Sequence, residues 1–423
     1  MLTEHQQRVL ADAKDILTLE NRLLIKGSAG VGKTFMVKVL IEQLGIDHWS
    51  TICSAPTHKA VAVIREKVGM SVSFTTIHSA LKMKRRIDHK GDWSFKPSFS
   101  PNYPPLQNIK YLIIDEASMI SQELLAYIEE FASKEKVTVI FLGDSKQLNP
   151  VDEEDSPVFQ AEYPTVELTE IVRQGAGNPI IELSRNLKAI NSNINNLIDE
   201  KGFVYTRNKG KIIEELARVN GTDEFKYLSY TNQDVNAMNK LVRKAIYGDP
   251  SKIEKGETMV FNAPYGEDYS TNEEILVETV QVLEEEYLYK RTSMSDTQWK
   301  REGAKEEDNP YQKVKLKVYL INETIPVIHE DSEAKLKEVS SELRSNCKAK
   351  LLDWPEFYNF VEQFADLKYN HALTIHKSQG STYKQAVINL TNINFNRKAK
   401  EKERLLYTAV TRASDLLIIY QST

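Results

Sequence analysis

The chain has 423 residues, with 55 Lys and Arg against 60 Asp and Glu, and a formal net charge of −5. This length predicts about two to four domains, and the acidic balance excludes a uniformly basic nucleic-acid-binding protein but not a local basic groove. The two cysteines, Cys53 and Cys347, are too few and too far apart to predict a disulfide framework or a cysteine metal site, which is typical of a reducing compartment.

The first elements predicted along the chain are a helix, a strand, a glycine loop and a second helix. Thr3 can cap a helix whose apolar residues follow at helical spacing, and residues 22–26, with three apolar residues at their centre, are typical of a buried strand. Residues 27–34 then match the P-loop pattern Gly-x-x-x-x-Gly-Lys-Thr, and an apolar helical face follows them. The residues predicted to surround the phosphates are Gly27, Ser28, Ala29, Gly30, Val31, Gly32, Lys33 and Thr34.

Within this loop, Lys33 is expected to reach the β- and γ-phosphates, and the Thr34 hydroxyl is expected to bind Mg²⁺. The strand before the loop and the helix after it are the context that this motif requires. The sequence therefore predicts a site for a nucleoside triphosphate.

Strands and helices continue to alternate up to about residue 150. Residues 51–55, 111–114 and 137–142 are apolar runs, and the segments between them have helical spacing, so we expect a parallel sheet with helices on both faces. Residues 82–107 break this pattern. They are too polar and too rich in Pro and Ser for a core, which predicts a small projecting insertion.

Three polar side chains follow the predicted strands. Asp115 and Glu116 end the second of these runs, at the sheet edge where P-loops also lie, so Asp115 is suited to hold Mg²⁺ and Glu116 to polarise an attacking water. Gln147 follows the third run and could sense the γ-phosphate. Arg173 and Arg412 are candidates for arginines that stabilise the transition state, although chemistry alone selects neither.

The second half of the chain has a different texture. Residues 227–230 predict a strand and 232–245 a helix, and from residue 255 the pattern becomes β-rich with long loops. A charged stretch over 331–368 is predicted to be helical, with an aromatic stripe that is expected to serve packing. The chain closes on a predicted strand at 416–420.

Eight motifs occur in one order along the chain, at residues 27–34, 55–60, 76–79, 114–118, 143–148, 168–173, 374–380 and 407–412. Together they resemble the superfamily 1 group B DNA helicases of the RecD/Dda-like type. The resemblance implies an α/β fold of two RecA-like P-loop domains, with an inserted β-hairpin pin and an inserted SH3-like β domain. The implied boundaries are 1–81 and 108–172 for the first RecA-like domain, 82–107 for the pin, 173–254 and 369–423 for the second, and 255–368 for the SH3-like domain with a helical arm.

The resemblance also implies residue roles. Gln6 would read adenine, and Gly380 would lie at the nucleotide. Lys33, Glu116, Gln147, Arg173 and Arg412 would carry ATP hydrolysis. The residues implied to hold single-stranded DNA are Pro56, Thr57, His58, Thr76, His78, Thr374, His376 and Ser378. At the pin, Phe95 is the first candidate to stack on a base pair and Trp93 the second, while an equally open alternative is that these aromatics pack the hairpin against the body.

The predicted function is an ATP-dependent DNA helicase that uses ATP and Mg²⁺ and moves 5′ to 3′ on single-stranded DNA, with the direction taken from the resemblance alone. Two alternatives stay open: an ATP-driven translocase that remodels protein–DNA complexes or anneals strands, and a motor subunit of a RecD-like nuclease complex. The expected partners are single-stranded and forked duplex DNA, with a single-strand-binding protein as a candidate.

The protein is expected to be a monomer in the cytoplasm, which would be the host cytoplasm for a phage protein. No membrane association is expected, because the start of the chain lacks the layout of a signal peptide and no apolar run approaches membrane-spanning length.

Overall fold

A computed structural model describes residues 2–43, 48–69, 72–87, 90–150, 153–170, 178–188, 190, 202–220, 224–248, 252–266, 268–294 and 309–422. The chain divides into two compact units. The first unit comprises Met1–Met83, Pro97–Val242 and His371–Thr423, and the second comprises Lys84–Lys96 and Arg243–Asn370. Within the described ranges, no helix is long and apolar enough to cross a membrane.

The described α-helices span Glu4–Leu19, Lys33–Gln43, His58–Val68, Ile77–Ala80, Gln122–Lys134, Pro157–Gln160, Pro179–Arg185, Lys209–Val219, Asn232–Tyr247, Glu330–Lys348, Trp354–Val361, Leu390–Ile393 and Ala399–Val410. The described strands are β1 (Arg22–Gly27), β2 (Thr51–Ala55), β3 (Ser73–Thr76), β4 (Met83–Ile87), β5 (Trp93–Pro97), β6 (Tyr111–Ile114), β7 (Thr138–Gly143), β8 (Thr165–Leu168), β9 (Phe203–Thr206), β10 (Phe225–Ser229), β11 (Thr258–Phe261), β12 (Glu274–Leu276), β13 (Val280–Lys290), β14 (Tyr311–Ile321), β15 (Ile325–Ile328), β16 (Leu367–Tyr369), β17 (Ala372–Thr374), β18 (Tyr383–Asn389) and β19 (Ala413–Tyr420).

The first unit contains two parallel sheets. One has six strands in the order β3-β2-β6-β7-β1-β8, and the other has five in the order β17-β10-β18-β19-β9. Within each of these two sheets, all the strand pairings are parallel. The first sheet contains the P-loop strand, and the second contains the C-terminal motifs. The predicted α/β class with two such sheets is confirmed.

Burial on both faces explains why the strands of the six-stranded sheet read as continuous apolar runs. On β1, Leu23 and Ile25 point into one core and Leu24 into the other, and all three are 0% exposed. On β6, Ile113 belongs to the first core, and its neighbours Leu112 and Ile114 belong to the second. A parallel sheet covered by helices on both faces requires this pattern.

The first helix begins where the sequence predicts. Thr3 accepts the Gln6 N–H, and the Gln6 side chain in turn accepts the Thr3 N–H, which completes a capping box. Val9, Leu10 and Ala13 are buried against the sheet that carries the P-loop. This helix therefore fixes the position of Gln6 next to that loop.

The second unit contains two three-stranded sheets, with orders β12-β11-β16 and β13-β14-β15, and the two-stranded sheet β4-β5. The sheet β13-β14-β15 packs on helices Glu330–Lys348 and Trp354–Val361 through a core of aromatic and aliphatic side chains. The predicted packing role of the aromatic stripe is confirmed, since Phe357, Phe360 and Phe364 are 3%, 2% and 8% exposed.

The prediction of continuous helix over 331–368 is wrong in part. The first helix ends at Lys348, and a second starts at Trp354 with a proline in its first turn, where the missing N–H costs nothing. The stretch ends in strand β16, which pairs antiparallel with β11. That pairing joins segments about a hundred residues apart and leaves no helical or strand signal in the local pattern.

Candidate nucleotide site and nucleic-acid interface

The glycine loop takes the shape that a phosphate site requires. Strand β1 ends at Gly27, and helix Lys33–Gln43 begins inside the motif. Gly30 and Gly32 have φ values of 83° and 85°, which side chains other than glycine rarely allow. A Cβ at Gly27 would lie 2.7 Å from Val31 Cγ2, so the loop also needs glycine there on steric grounds. The loop amides and the positive end of the helix can therefore converge on an anion.

A cavity of about 320 Å³ opens over this loop and is lined by residues from both parallel sheets of the first unit. Most of the residues predicted for the nucleotide meet here. They are Gln6, Ser28, Ala29, Gly30, Gly32, Lys33, Thr34, Asp115, Glu116, Gln147, Gly380 and Arg412. Val31 is instead a core residue at 0% exposed. Arg173 lies outside the described residues, so its predicted role stays a prediction.

The Lys33 ammonium is held over the loop. Its Nζ donates to Gly27 O at 2.7 Å and to Ser28 O at 3.1 Å. These bonds hold the charge over the glycine turn and leave one N–H of the ammonium for a further acceptor. A phosphate oxygen at the loop would be such an acceptor.

Thr34 and Asp115 place side by side two oxygen atoms of the kind that Mg²⁺ prefers. Thr34 Oγ1 donates to Asp115 Oδ2 at 3.3 Å, which brings a hydroxyl from the helix start against a carboxylate from the end of β6. In the part of the chain that the structure describes, no group of three or more His, Cys, Asp or Glu could hold a metal alone. The pair fits Mg²⁺, an ion that takes one or two protein oxygens and completes its shell with phosphates and waters.

Glu116 follows Asp115 in the left-handed backbone region, with φ at 56°. Its N–H donates to Asp115 Oδ1 at 2.8 Å, so the tight turn aims two successive carboxylates into one cavity. Burial, reinforced by the Asp115 charge, raises the pKa of Glu116, while Arg412 and Lys33 act in the opposite direction. A carboxylate with a raised pKa is better matched to proton transfer near neutral pH.

Gln6 is nearly fully buried at the rim of the loop. Its Nε2 donates to Val31 O at 3.2 Å, and a Cβ on Gly32 would come within 2.9 Å of the same nitrogen. The amide is thus fixed by the loop at one end and by the Thr3 N–H at the other. This geometry orients Gln6 toward the cavity that it lines.

Gln147 and Arg412 face the cavity from opposite sheets. The Gln147 side-chain Oε1 is buried and has no hydrogen-bond partner among the residues that the structure describes, so a polar ligand could satisfy it. Arg412 is 4% exposed, with Nη1 donating to Ser381 O at 2.8 Å and Nε to Thr408 O at 3.0 Å. These carbonyls hold the guanidinium in place at the cavity that Asp115 and Glu116 also line.

The predicted DNA contacts of the first sheet lie at two helix starts. Thr57 accepts the Ala60 N–H at 3.2 Å, and Thr76 accepts the Ser79 N–H at the same distance. Both hydroxyls therefore cap helices. Pro56 and Thr57 are partly exposed and His58 is exposed. Burial lowers the pKa of His78, which favours a neutral imidazole.

The predicted contacts of the second sheet lie in one turn that begins at Thr374, the last residue of β17. Thr374 Oγ1 accepts the Lys377 N–H at 3.3 Å, and Ser378, which is 0% exposed, donates its hydroxyl to Ile375 O at 2.8 Å. Ser378 thus stabilises the turn instead of facing solvent. His376 is partly exposed, its pKa is lowered by burial, and its ring centroid lies 6.3 Å from that of Tyr230.

The two hairpin aromatics lie on β5 in the second unit. Phe95 is 42% exposed, while the side chain of Trp93 lies outside the described part of the structure. Near the tip, Tyr358 donates its hydroxyl to Gly91 O at 2.8 Å, and a Cβ on Gly91 would come within 2.6 Å of Trp354 Cζ3. The hairpin is thus packed on helix Trp354–Val361.

Comparisons with known proteins agree with this site. A family model described as an AAA domain matches residues 1–209, and one described as a UvrD-like helicase C-terminal domain matches residues 369–420. The chain is 27% identical to the ATP-dependent DNA helicase dda of Enterobacteria phage T4 over 97% of both chains. It is 32% identical to the ATP-dependent RecD2 DNA helicase of Deinococcus radiodurans over 44% of this chain and 24% of that protein. The two family models and the phage relative, which matches nearly the whole chain, support the resemblance to the superfamily 1 DNA helicases of the RecD/Dda-like type.

Solved helicases share this fold. The Pif1 helicase from Candida albicans aligns with 99% of this chain and 94% of its own, at a TM-score of 0.50 and 20% identity. Bacteroides Pif1 bound to single-stranded DNA aligns with 99% and 92%, at a TM-score of 0.51 and 19% identity. The two RecA-like domains of the family correspond to the two parallel sheets of the first unit.

Some residues near the cavity of this helicase were not predicted from the sequence. Tyr407 and Thr408 belong to the last of the eight motifs, and both bond to residues of the first sheet's side of the cavity, Asp144 and Leu148. Arg404 and Lys400 pair with Asp155, at 2.5 Å and 2.8 Å. Helical spacing along Ala399–Val410 places these residues on one face, but their partners lie far away in sequence.

Proposed function

We propose that this helicase couples ATP hydrolysis between its two parallel sheets to movement along single-stranded DNA from 5′ to 3′, and separates duplex DNA at the β4-β5 hairpin. One observation carries the proposal. Lys33, Thr34, Asp115, Glu116 and Gln147 from one sheet share a cavity with Gly380 and Arg412 from the other. A site divided between two domains can transmit ATP turnover as relative motion of those domains.

In the proposed reaction, a water oxygen attacks the γ-phosphorus of ATP, its proton passes to Glu116, and the bond to the bridging oxygen of ADP breaks. Lys33 binds the phosphates, and Gln6 recognises the adenine. Thr34 and Asp115 would hold Mg²⁺, which neutralises phosphate charge when bound. Arg412, together with Arg173, stabilises the charge that develops at the γ-phosphate, as arginines do in other NTPases.

The proposed DNA path follows the two groups of predicted contacts. Pro56, Thr57 and His58 with Thr76 and His78 belong to the first sheet, and Thr374, His376 and Ser378 to the second. Helix starts and imidazoles bind phosphates without reading bases, so we expect binding that tolerates any sequence and weakens with salt. Since Ser378 is fully buried, we expect it to act by supporting the turn.

The proposed pin is the hairpin of β4 and β5, with Phe95 as the residue that meets the duplex. Its support comes from the second unit, where the hairpin packs on Trp354 and Tyr358 and where Arg85 Nη1 pairs with Glu362 Oε1 at 2.9 Å. A braced hairpin can resist the force of a duplex pulled against it. Because both sheets at the cavity come from one chain, we propose that the protein works as a monomer. We also propose that it acts in the cytoplasm.

The test compares two duplexes that differ only in the polarity of a single-stranded tail, with ATP, Mg²⁺ and a trap for the released strand. Unwinding only from the 5′ tail supports the proposal, and Lys33→Ala should abolish it. Unwinding only from the 3′ tail would overturn the direction. DNA-stimulated ATP hydrolysis without strand separation on either duplex would favour a translocase that remodels protein–DNA complexes.

A further inference from the structure

Tyr407 links the helix that packs on the second sheet to the glycine loop of the first sheet. The residue is 3% exposed on helix Ala399–Val410, which packs in the core of the second sheet. Its hydroxyl donates to Asp144 Oδ2 at 2.6 Å and accepts the Ala29 N–H at 3.2 Å. One hydroxyl thus bonds to the P-loop and to the end of β7 at once.

The Ala29 N–H has an alternative use. Ala29 lies in the turn of the P-loop and lines the cavity, and the N–H groups of such a turn are the donors that bind phosphates. A phosphate oxygen that accepts this N–H takes it from Tyr407. Arrival of a nucleotide and the bond to Tyr407 therefore compete for the same donor.

The Tyr407 hydroxyl is connected to Gln147 through Asp144. Asp144 O accepts the Gln147 N–H at 3.1 Å, so Tyr407 bonds to the residue that begins this turn. On the other flank, the Leu148 N–H donates to Thr408 Oγ1 at 3.3 Å, and Gln379 Nε2 donates to Leu148 O at 3.2 Å. The γ-phosphate sensor predicted at Gln147 is thus held on both sides from the second sheet.

Arg412 lies two residues beyond the end of the same helix. The Arg412 N–H donates to Ala409 O at 3.1 Å, and its Nε to Thr408 O at 3.0 Å, so the arginine moves with the end of the helix. A change at the Tyr407 hydroxyl can therefore reach Gln147 through Asp144 and Arg412 through the helix itself.

Resting on the proposed function, we infer that Tyr407 is a positioning residue: its hydroxyl competes with a nucleotide phosphate for the Ala29 N–H and transmits phosphate binding to Gln147 and Arg412. Burial, followed by the Asp144 charge, raises the pKa of Tyr407, so the hydroxyl stays protonated and keeps donating to Asp144. A tyrosine needed only to fill space would use its ring, and phenylalanine would replace it without consequence.

The test is Tyr407→Phe, which keeps the ring and removes the hydroxyl. The matched control is Tyr205→Phe on β9 of the second sheet, where the hydroxyl is buried without a partner in the described structure. Affinity for a fluorescent ATP analogue, measured at equilibrium, gives a readout that does not depend on turnover. ATP hydrolysis with and without single-stranded DNA gives kcat and KM.

For Tyr407→Phe we expect tighter nucleotide binding, by about 2- to 10-fold, because the competing hydrogen bond is gone. We also expect a lower DNA-stimulated kcat, since Gln147 and Arg412 no longer respond together. Tyr205→Phe should match the wild type in both assays. A Tyr407→Phe protein with wild-type affinity and kcat, or one that binds nucleotide more weakly, would overturn the inference.

A second variant separates the inference from the proposed function. Asp144→Asn removes the negative charge of the carboxylate that accepts the Tyr407 hydroxyl. If both residues act through this one bond, the double variant Tyr407→Phe with Asp144→Asn should lower kcat by less than the two single effects combined. Additive effects would overturn the inference. Failure of the wild-type protein to hydrolyse ATP in the presence of DNA would instead overturn the proposed function.

Discussion

Thr34 Oγ1 lies 3.3 Å from Asp115 Oδ2, although 81 positions separate the two residues in sequence. The hydroxyl comes from the first turn of the P-loop helix, and the carboxylate from the residue after β6. Strands β1 and β6 run parallel on either side of β7, so their carboxyl ends meet at one edge of the sheet. This topology creates an oxygen pair suited to a divalent cation beside the phosphate loop.

Thr34→Ala should raise the Mg²⁺ concentration needed for half-maximal ATP hydrolysis by about 10- to 100-fold, the range seen when the ligands of a bound metal lose support. Titration of Mg²⁺ at fixed ATP measures this. Thr18→Ala, which removes an exposed hydroxyl from the first helix, is the control and should leave the titration unchanged. An unaltered Mg²⁺ requirement in Thr34→Ala would contradict the assignment of Thr34 to the metal.

Glu116→Gln should lower kcat by about 10²- to 10⁴-fold while nucleotide affinity stays near that of the wild type, because a general base acts in the chemical step. Single-turnover hydrolysis and equilibrium binding of ATP separate the two quantities. Glu123→Gln serves as the control, because it removes one negative charge from helix Gln122–Lys134, which follows Glu116 along the chain. Equal losses of affinity and kcat would assign Glu116 to binding instead.

The pH profile tests the same residue without mutation. Glu116 must be ionised to accept a proton, and its pKa is raised above the ordinary 4.5 by burial and by Asp115. Activity should therefore fall on the acidic side as pH drops through this raised value, at a higher pH than for a free glutamate. The profile of kcat/KM against pH measures it, and an acidic limb at or below pH 4.5 would contradict the prediction.

Phe95→Ala should slow strand separation and leave DNA-stimulated ATP hydrolysis near normal. Stacking of an aromatic on a base contributes about 1–3 kcal/mol, which corresponds to roughly a 5- to 150-fold change in rate if all of it acts at the fork. Phe99→Ala is the control. Phe99 has an exposure similar to that of Phe95, but its ring packs edge-on against Phe131, with the ring centroids 5.5 Å apart. Parallel losses of unwinding and hydrolysis would show that Phe95 only packs the hairpin.

Residues whose partners are local could be predicted from the sequence. Lys33 bonds to carbonyls five and six positions away, and Gln6 and Thr3 form a capping box within one turn. The strand, loop and helix around the P-loop carry their own apolar periodicity. For such sites, the sequence pattern and the geometry express the same short-range constraint.

Contacts between distant segments could not be predicted in this way. Ala29 and Tyr407 are 378 positions apart, and neither spacing nor composition indicates that they meet. The strand that ends the 331–368 stretch could not be predicted for a similar reason, because β16 is a strand only through its pairing with β11. Charge and aromatic spacing before it continue to favour helix, and the tertiary pairing overrides that preference.

The ion pair of Arg243 and Glu257 in the second unit supports a stability prediction. The two side chains are 0% and 2% exposed, Arg243 Nη2 lies 2.7 Å from Glu257 Oε1, and the guanidinium stacks 3.7 Å from the Tyr369 ring centroid. Arg243→Met removes the cation and leaves a buried carboxylate without its partner. We expect a loss of about 3–5 kcal/mol in the free energy of unfolding, whereas Arg243→Met combined with Glu257→Leu should recover most of it.

The pH dependence of that loss distinguishes lost charge pairing from lost packing. Burial raises the pKa of Glu257 even with Arg243 in place, so removing the arginine should raise it further. Protonation then relieves the unpaired charge, and the deficit of Arg243→Met relative to the wild type should shrink as pH falls through the raised pKa. Urea unfolding at pH 8 and at pH 5 measures this, and a deficit independent of pH would mean that the arginine stabilises the unit by packing on Tyr369 alone.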